Sequence, residues 1–328
     1  MQGTNCVGVK ERWGVVRSIF YAFAPALIAS AAFPQTLPAA SPATVPAVEL
    51  GWSPKRTPFG DYATPNRVWW KFADVLAAHQ GETSWIHPVV RNRYLEADWH
   101  QMAPGGSTRA LMYPDNATAL IVWGGQLRVS IQGQTPFVAV KGGEVHIPFR
   151  LPFTLETVGK EPALWLEVHG AGDLPIYPVA TTPDKPADVQ GFTYVKAAMT
   201  GGPGHYREQD RAYLDYFKDV VNGGQRADAF IAGDQLFVNN IRGRGITPPP
   251  SNNLGHYHFG YDEFWFIMEG QIDYQIEGVP FFTASPGDIV IAAQGRWHRA
   301  SFGGPVGQMA TRVAINPYPR GLHNFQPH

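Results

Sequence analysis

Cysteine is nearly absent from this chain: Cys6 is the single one among 328 residues. One thiol cannot form an internal disulfide, a thiolate zinc site or a network of redox thiols. Charge is also scarce, with Asp, Glu, Lys and Arg at 16% and a formal net charge of −1. A chain with so little net positive charge has no global field for a nucleic-acid backbone, so nucleic acid is excluded as the expected partner. Long apolar runs are missing too. The most apolar early stretch, "SIFYAFAPALIASAA", is interrupted by Pro25 and is too short to span a bilayer comfortably. It follows Lys10, Arg12 and Arg17 and ends in Ala29-Ser30-Ala31, the pattern of an export signal cleaved near Ala31. The expectation is a periplasmic or secreted protein, without stable membrane insertion after cleavage and without any cysteine in its mature form.

What the chain does have is turn residues and rings. There are 35 glycines and 29 prolines, and aromatics reach 13%. That composition suits β-sandwiches and barrels better than helical bundles. Residues 32–63, rich in Pro, Ala, Ser and Thr and without a period, read as an extended, largely disordered linker. Beyond Thr64-Pro65, apolar residues Val68, Trp69, Phe72, Val75 and Leu76 predict a helix over 66–79. Tyr213, Leu214, Phe217, Val220 and Val221 predict a second over 207–222, closed by "NGG". The two helices are 145 residues apart, and the segments after them are related. "VWGGQLRVSIQG" (122–133) aligns with "IMEGQIDYQIEG" (267–278) at the same offset, and "TPFVAVKGGEVHIP" (135–148) with "VPFFTASPGDIVIA" (279–292) at 144. Matches in the same order at nearly one offset indicate a duplicated domain. Between the helices the sequence alternates in short strands punctuated by Gly, Pro, Asn and Asp.

The chemistry concentrates in the second copy. In "GHYHFGYDEFWFIMEG" (255–270), strand alternation puts His256 and His258 on one face, and Glu263 comes after a short irregularity. His298, in "SPGDIVIAAQGRWHRA", returns a third imidazole to the sheet. Imidazoles and a carboxylate at the mouth of so apolar a strand either face water or share a partner that repays their burial. A three-His, one-carboxylate set suits one divalent transition metal per chain, Mn, Fe, Cu, Ni or Zn, with positions left for water, substrate or O2. Asp262 is a neighbour of the ligands, and His146 and His169 have no partners in register.

These residues resemble the cupin superfamily. "H-x-H-x4-E-x6-G" (256–270) followed by "G-x2-H" (295–298) matches its two-part motif, and the duplication looks like a bicupin covering roughly residues 66 to 328. The resemblance implies an all-β fold: two tandem cupin-type, jelly-roll-like barrels, each preceded by an amphipathic helix. The corresponding division is a signal at 1–31, the linker at 32–63, a degenerate domain at 64–190 and a metal-binding domain at 191–328. At the repeat offset the ligands face Leu111, Tyr113 and Thr118, with Thr154 opposite His298, so the first domain is expected to bind no metal.

Alternation along the strand turns Trp265 inward with Glu263, and a hairpin at Glu269-Gly270 would pair Trp265 with Tyr274. Phe302 follows His298 inward. Trp265, Tyr274 and Phe302 are therefore candidate substrate contacts, and Arg242 a candidate clamp from a loop over the mouth. Cupins resembling quercetin-cleaving dioxygenases suggest a further, catalytic role for Glu263 as a base. The leading expectation is an oxidoreductase, dioxygenase-like, acting on a small aromatic or cyclic substrate, with O2 as co-substrate. Oxalate is disfavoured because its carboxylates would want an inward arginine. The alternatives are a redox-neutral lyase, decarboxylase or sugar isomerase, and a non-catalytic periplasmic carrier of metal or small ligand. Edge strands suggest a homodimer.

Overall fold

The computed structural model describes residues 54–178, 190–233, 235–245 and 253–317. The N-terminal signal and most of the linker lie outside these. The first half contains β1 (Trp69–Trp70), a helix α1 (Phe72–Ala78), β2 (Trp85–Arg91), β3 (Leu95–Met102), β4 (Thr118–Gly124), β5 (Gln126–Ile131), β6 (Phe137–Ala139), β7 (Gly143–Ile147), β8 (Phe153–Val158) and β9 (Ala163–Gly170). The second contains β10 (Tyr213–Asp215), a π-helical segment α2 (Tyr216–Asn222), β11 (Ile231–Ala232), β12 (Phe237–Arg244), β13 (Glu263–Glu269), β14 (Ile272–Ile276), β15 (Phe282–Ala284), β16 (Ile289–Ala292), β17 (His298–Phe302) and β18 (Met309–Asn316). The fold is all-β. Each half closes a six-stranded sheet against a three-stranded one, in the orders β10-β7-β4-β9-β3-β2 with β6-β5-β8, and β1-β16-β13-β18-β12-β11 with β15-β14-β17.

The strand orders show an exchange that the sequence division does not contain. β1, from the first repeat, pairs with β16 of the second barrel, and β10, from the second repeat, pairs with β7 of the first. The same crossing extends upstream. Residues 54–62, expected as linker, are fastened to the second barrel: Tyr62 Oη donates to the Ile291 carbonyl at 2.7 Å, and Arg296 Nε to that of Gly60 at 3.1 Å. Tyr206 repeats the contact on the first barrel, donating to the His146 carbonyl at 2.7 Å. The domain limits near 190 therefore separate the repeats in sequence but not the sheets, and the described residues form one compact unit.

Strand exchange also explains why both helices are shorter than their periodicity implies. Trp69 lies in β1, where its Nε1 donates to Asp288 at 2.9 Å, and Asp288 also accepts from the Phe72 backbone at 2.9 Å to start α1. Tyr213 and Leu214 are likewise in β10. Two apolar neighbours followed by a helix mimic a longer helical stripe.

Three cores result. One fills each barrel, and the largest lies between the two six-stranded sheets. Phe264 and Phe266 of β13 point into that shared core, while Trp265 and Ile267 point into the second barrel. Both faces of β13 are buried, which is why "EFWFIM" reads as an unbroken apolar run. Phe266 packs edge-on to Trp123 at 5.0 Å and to Trp99 at 5.9 Å, joining the halves.

Gly270 has φ +65°, as its turn position demands, but the expected hairpin does not form. β13 and β14 belong to different sheets. Trp265 and Tyr274 still meet, at 5.3 Å between ring centroids, because they face each other across the barrel interior. Among the described residues no helix is long and apolar enough to cross a membrane.

Candidate metal centre

Gly255, with φ +72°, turns the chain into a short bridge in which His256 N donates to the His298 carbonyl at 2.9 Å and His298 N to the His256 carbonyl at 2.7 Å. That bridge lays the H-x-H segment beside β17. Extended alternation sends Tyr257 the other way, where its hydroxyl donates to the Pro54 carbonyl at 3.0 Å. Glu263 begins β13 next to β16. Asp262 turns away from the ligands and accepts from Gln294 N at 2.6 Å.

The four expected ligands converge, with their ligating atoms all within 4.8 Å of one another. Glu263 Oε2 lies 2.8 Å from His258 Nε2, 3.2 Å from His298 Nε2 and 3.6 Å from His256 Nε2. Ligands about 2.1 Å from one ion are roughly 3.0 Å apart in cis-octahedral and 3.4 Å in tetrahedral geometry, so these spacings fit a first-row metal. The proton count points the same way. His298 Nδ1 is 3.0 Å from the Arg296 carbonyl, which can only accept, so Nδ1 carries the proton. In the neutral ring Nε2 is then a bare acceptor facing a carboxylate oxygen, a pairing that a cation between them resolves. Burial disfavours charge on Glu263, but the three imidazoles reverse that and hold its pKa well below the usual carboxylate range. Burial lowers the His256 pKa, with His298 and Arg312 adding to the effect against Glu263. The other carboxylate oxygen, Oε1, accepts from Asn316 Nδ2 at 3.2 Å. Both oxygens of Glu263 are engaged, so acting as a base would require it to leave its ligand position.

The ligands open onto a cavity of about 410 Å³. Trp265 and Phe302 are in its wall. Tyr274 lies behind Trp265, fully buried, and is not in the lining. Arg242 requires correction. Alternation along β12 turns Ile241 to the cavity and Arg242 to the opposite face, where its Nε donates to Glu269 at 3.2 Å. Arg299 lines the cavity but is held by Gln275 and the Asn253 carbonyl.

The arginine that faces the site is Arg312, which sequence reasoning missed. It sits on β18 within Ala310-Thr-Arg312-Val-Ala314-Ile-Asn316, whose alternate residues point into the barrel. It makes no hydrogen bond or ion pair with the described residues, and its Nε is closed off from solvent. An arginine in a strand flanked at i±2 by alanines was the legible signal: small neighbours leave room for a long side chain to turn inward.

The first barrel shows what happens without this arrangement. Strand register sets Leu111, Tyr113, Thr118 and Phe153 at the positions of His256, His258, Glu263 and His298, so Phe153, not Thr154, replaces the last ligand. Trp165 stands at the place of Arg312 and Glu167 at that of Ala314. Tyr113 Oη and Trp165 Nε1 both donate to Glu167, at 2.8 and 3.1 Å, and fill the interior. The second barrel supplies the only metal-type cluster among the described residues.

No protein-family model matches the sequence, and no curated protein matches it. Solved structures do align. Two mutants of Bacillus subtilis oxalate decarboxylase match at 13% and 14% identity, with TM-scores of 0.47 and 0.48. The first match covers 81% of both chains, and the second 81% of this chain and 80% of the other. At these values the likeness says nothing about what this chain acts on.

Proposed function

We propose that this protein is a metal-dependent, cupin-type enzyme acting on a small organic acid, by redox-neutral decarboxylation or a lyase step in preference to oxygenation. The observation that carries this reading is Arg312. The sequence disfavoured oxalate for want of an inward arginine, and Arg312 supplies one, without a hydrogen bond or ion pair to the described residues, in the cavity that His256, Glu263 and His298 line. A guanidinium matches a carboxylate through paired hydrogen bonds, and away from bulk water that pairing is both stronger and more directional. His256, His258, Glu263 and His298 would hold the ion, with Asn316 fixing the free oxygen of Glu263. Bound there, a divalent metal supplies Lewis-acid stabilisation of developing charge. Arg312 orients the acid, while Trp265 and Phe302 keep water from the reacting end.

The aromatic wall favours a second reading, an oxygenase for a cyclic substrate that also consumes O2. The N-terminal pattern around Lys10, Arg12 and Arg17 supports export, so we place the activity outside the cytoplasm.

The test is to load the protein with Mn, Fe, Cu, Ni or Zn and follow CO2 release and O2 consumption over a panel of carboxylic acids, beside His258→Ala. CO2 release without O2 uptake, lost in the variant, is expected. O2 uptake in step with turnover would transfer the assignment to an oxygenase. Metal bound with neither activity would leave a carrier.

A further inference from the structure

The cavity beside the metal ligands is much larger than a two-carbon acid needs, and most of its wall is apolar. At roughly 30 Å³ per water, 410 Å³ has room for on the order of a dozen small groups. Ile241, Trp265, Ala300 and Phe302 form the hydrophobic part of the lining, and Arg312 is the charge within it that has no partner. The Phe302 ring lies 5.5 Å from the guanidinium, so the cationic and apolar surfaces are contiguous. Tyr274 adds a buried hydroxyl with no hydrogen-bond partner, close enough to act on Arg312 electrostatically. Glu263 also acts on Arg312 electrostatically but makes no hydrogen bond or ion pair with it, because its oxygens face the imidazoles and Asn316.

Arg312 is half-buried, with its Nε closed off from solvent and no hydrogen-bond partner; a cation drawn into an apolar wall in this way is costly unless an anion completes it. An anion with no body would leave the apolar wall wet, whereas a ring or branched chain would cover it. We infer that the site takes a monocarboxylic acid with a ring-sized apolar body, its carboxylate on Arg312 and its body against Ile241, Trp265 and Phe302, and that it discriminates against small dicarboxylates. The inference rests on the reading of this cavity as the substrate site and narrows the class of acid.

Calorimetric titration of the metal-free and the metal-loaded protein tests it, with benzoate, cyclohexanecarboxylate, benzamide and oxalate as probes. In the metal-free form, where no ion can hold a carboxylate, benzoate and cyclohexanecarboxylate should bind one per chain. Benzamide, the same shape without the charge, should bind at least tenfold more weakly, and oxalate should bind more weakly than benzoate. Arg312→Gln should lose tenfold or more of the benzoate affinity, and Arg312→Lys, which keeps the charge but not the fork, should fall between. Phe302→Ala should weaken benzoate and leave oxalate unchanged. Thermal melts of each variant establish that it is folded. Benzoate binding to neither form, binding that Arg312→Gln leaves unchanged, equal affinity for benzamide, or a preference for oxalate in the metal-free form would each overturn the inference. A protein that binds benzoate through Arg312 but takes up no metal would retain it while removing the proposed enzymatic function.

Discussion

Glu144 sits on β7 at the seam between the barrels, 1% exposed, and among the described residues its carboxylate accepts one hydrogen bond: Asn240 Nδ2 of β12 donates to its Oε2 at 2.9 Å. Its Oε1 and the Oδ1 of Asn240 are both buried without partners. A proton on the carboxyl would remove the buried charge while leaving Oε2 free to accept from Asn240. Burial pushes the pKa of Glu144 up to about 7, from 4.5, against the opposing effects of Asn240 and Arg211. In the unfolded chain the group loses its proton near 4.5, while the folded protein keeps it to about 7. Folding therefore takes up a proton between those values. The contribution of Glu144 to stability is intact below pH 4.5, declines as pH rises through 7 and is flat above it. At about 1.4 kcal/mol per pH unit, ionising it in place costs on the order of 3 kcal/mol at pH 8. Glu144→Gln mimics the protonated acid, since its amide is uncharged, of nearly the same shape, and can accept from Nδ2. Urea denaturation of both proteins at pH 5 and pH 8 should show a small difference at the lower pH. At pH 8 the variant should be more stable by about 2–3 kcal/mol. Because the difference is taken between two chains, the histidines common to both cancel. A variant less stable at pH 8, or a difference independent of pH, would refute the account of a neutral Glu144 at the seam.

Two further substitutions probe the turn and the ligand shell. Gly270→Ala places a Cβ 2.4 Å from the Met309 carbonyl oxygen and 2.7 Å from Ala310 Cβ, at φ +65°. The left-handed backbone costs about 1–2 kcal/mol and the overlap about 1–3. Denaturant titration should therefore show a loss of roughly 2–5 kcal/mol. Asn316→Ala releases Oε1 of Glu263 without removing a ligand. Metal affinity, measured by chelator competition, should fall about 10- to 100-fold. An unchanged affinity would mean that the asparagine does not position the carboxylate.

Most of the candidate metal ligands were legible because they lie close together in the chain. His256, His258 and Glu263 fall within one turn-and-strand segment whose alternation fixes their direction, and the repeat supplied an internal control in Leu111, Tyr113 and Thr118. Period-2 patterning and the glycine turns were enough for an all-β chain in two copies. What failed required knowledge of which strand lies beside which. Trp69 and Tyr213-Leu214 extend a helical stripe in sequence but are recruited to sheet edges of the opposite barrel. The Gly270 turn was recognised, but a positive φ does not say whether the next strand pairs with the last or crosses to the facing sheet. Arg242 and Arg312 differ in the same way. Each lies in an alternating strand, and only the closure of the barrel decides that β12 turns Ile241 inward while β18 turns Arg312 inward. Local pattern determines which residues share a face. The tertiary pairing of strands determines which face encloses the site, because a face becomes an interior only when another sheet covers it.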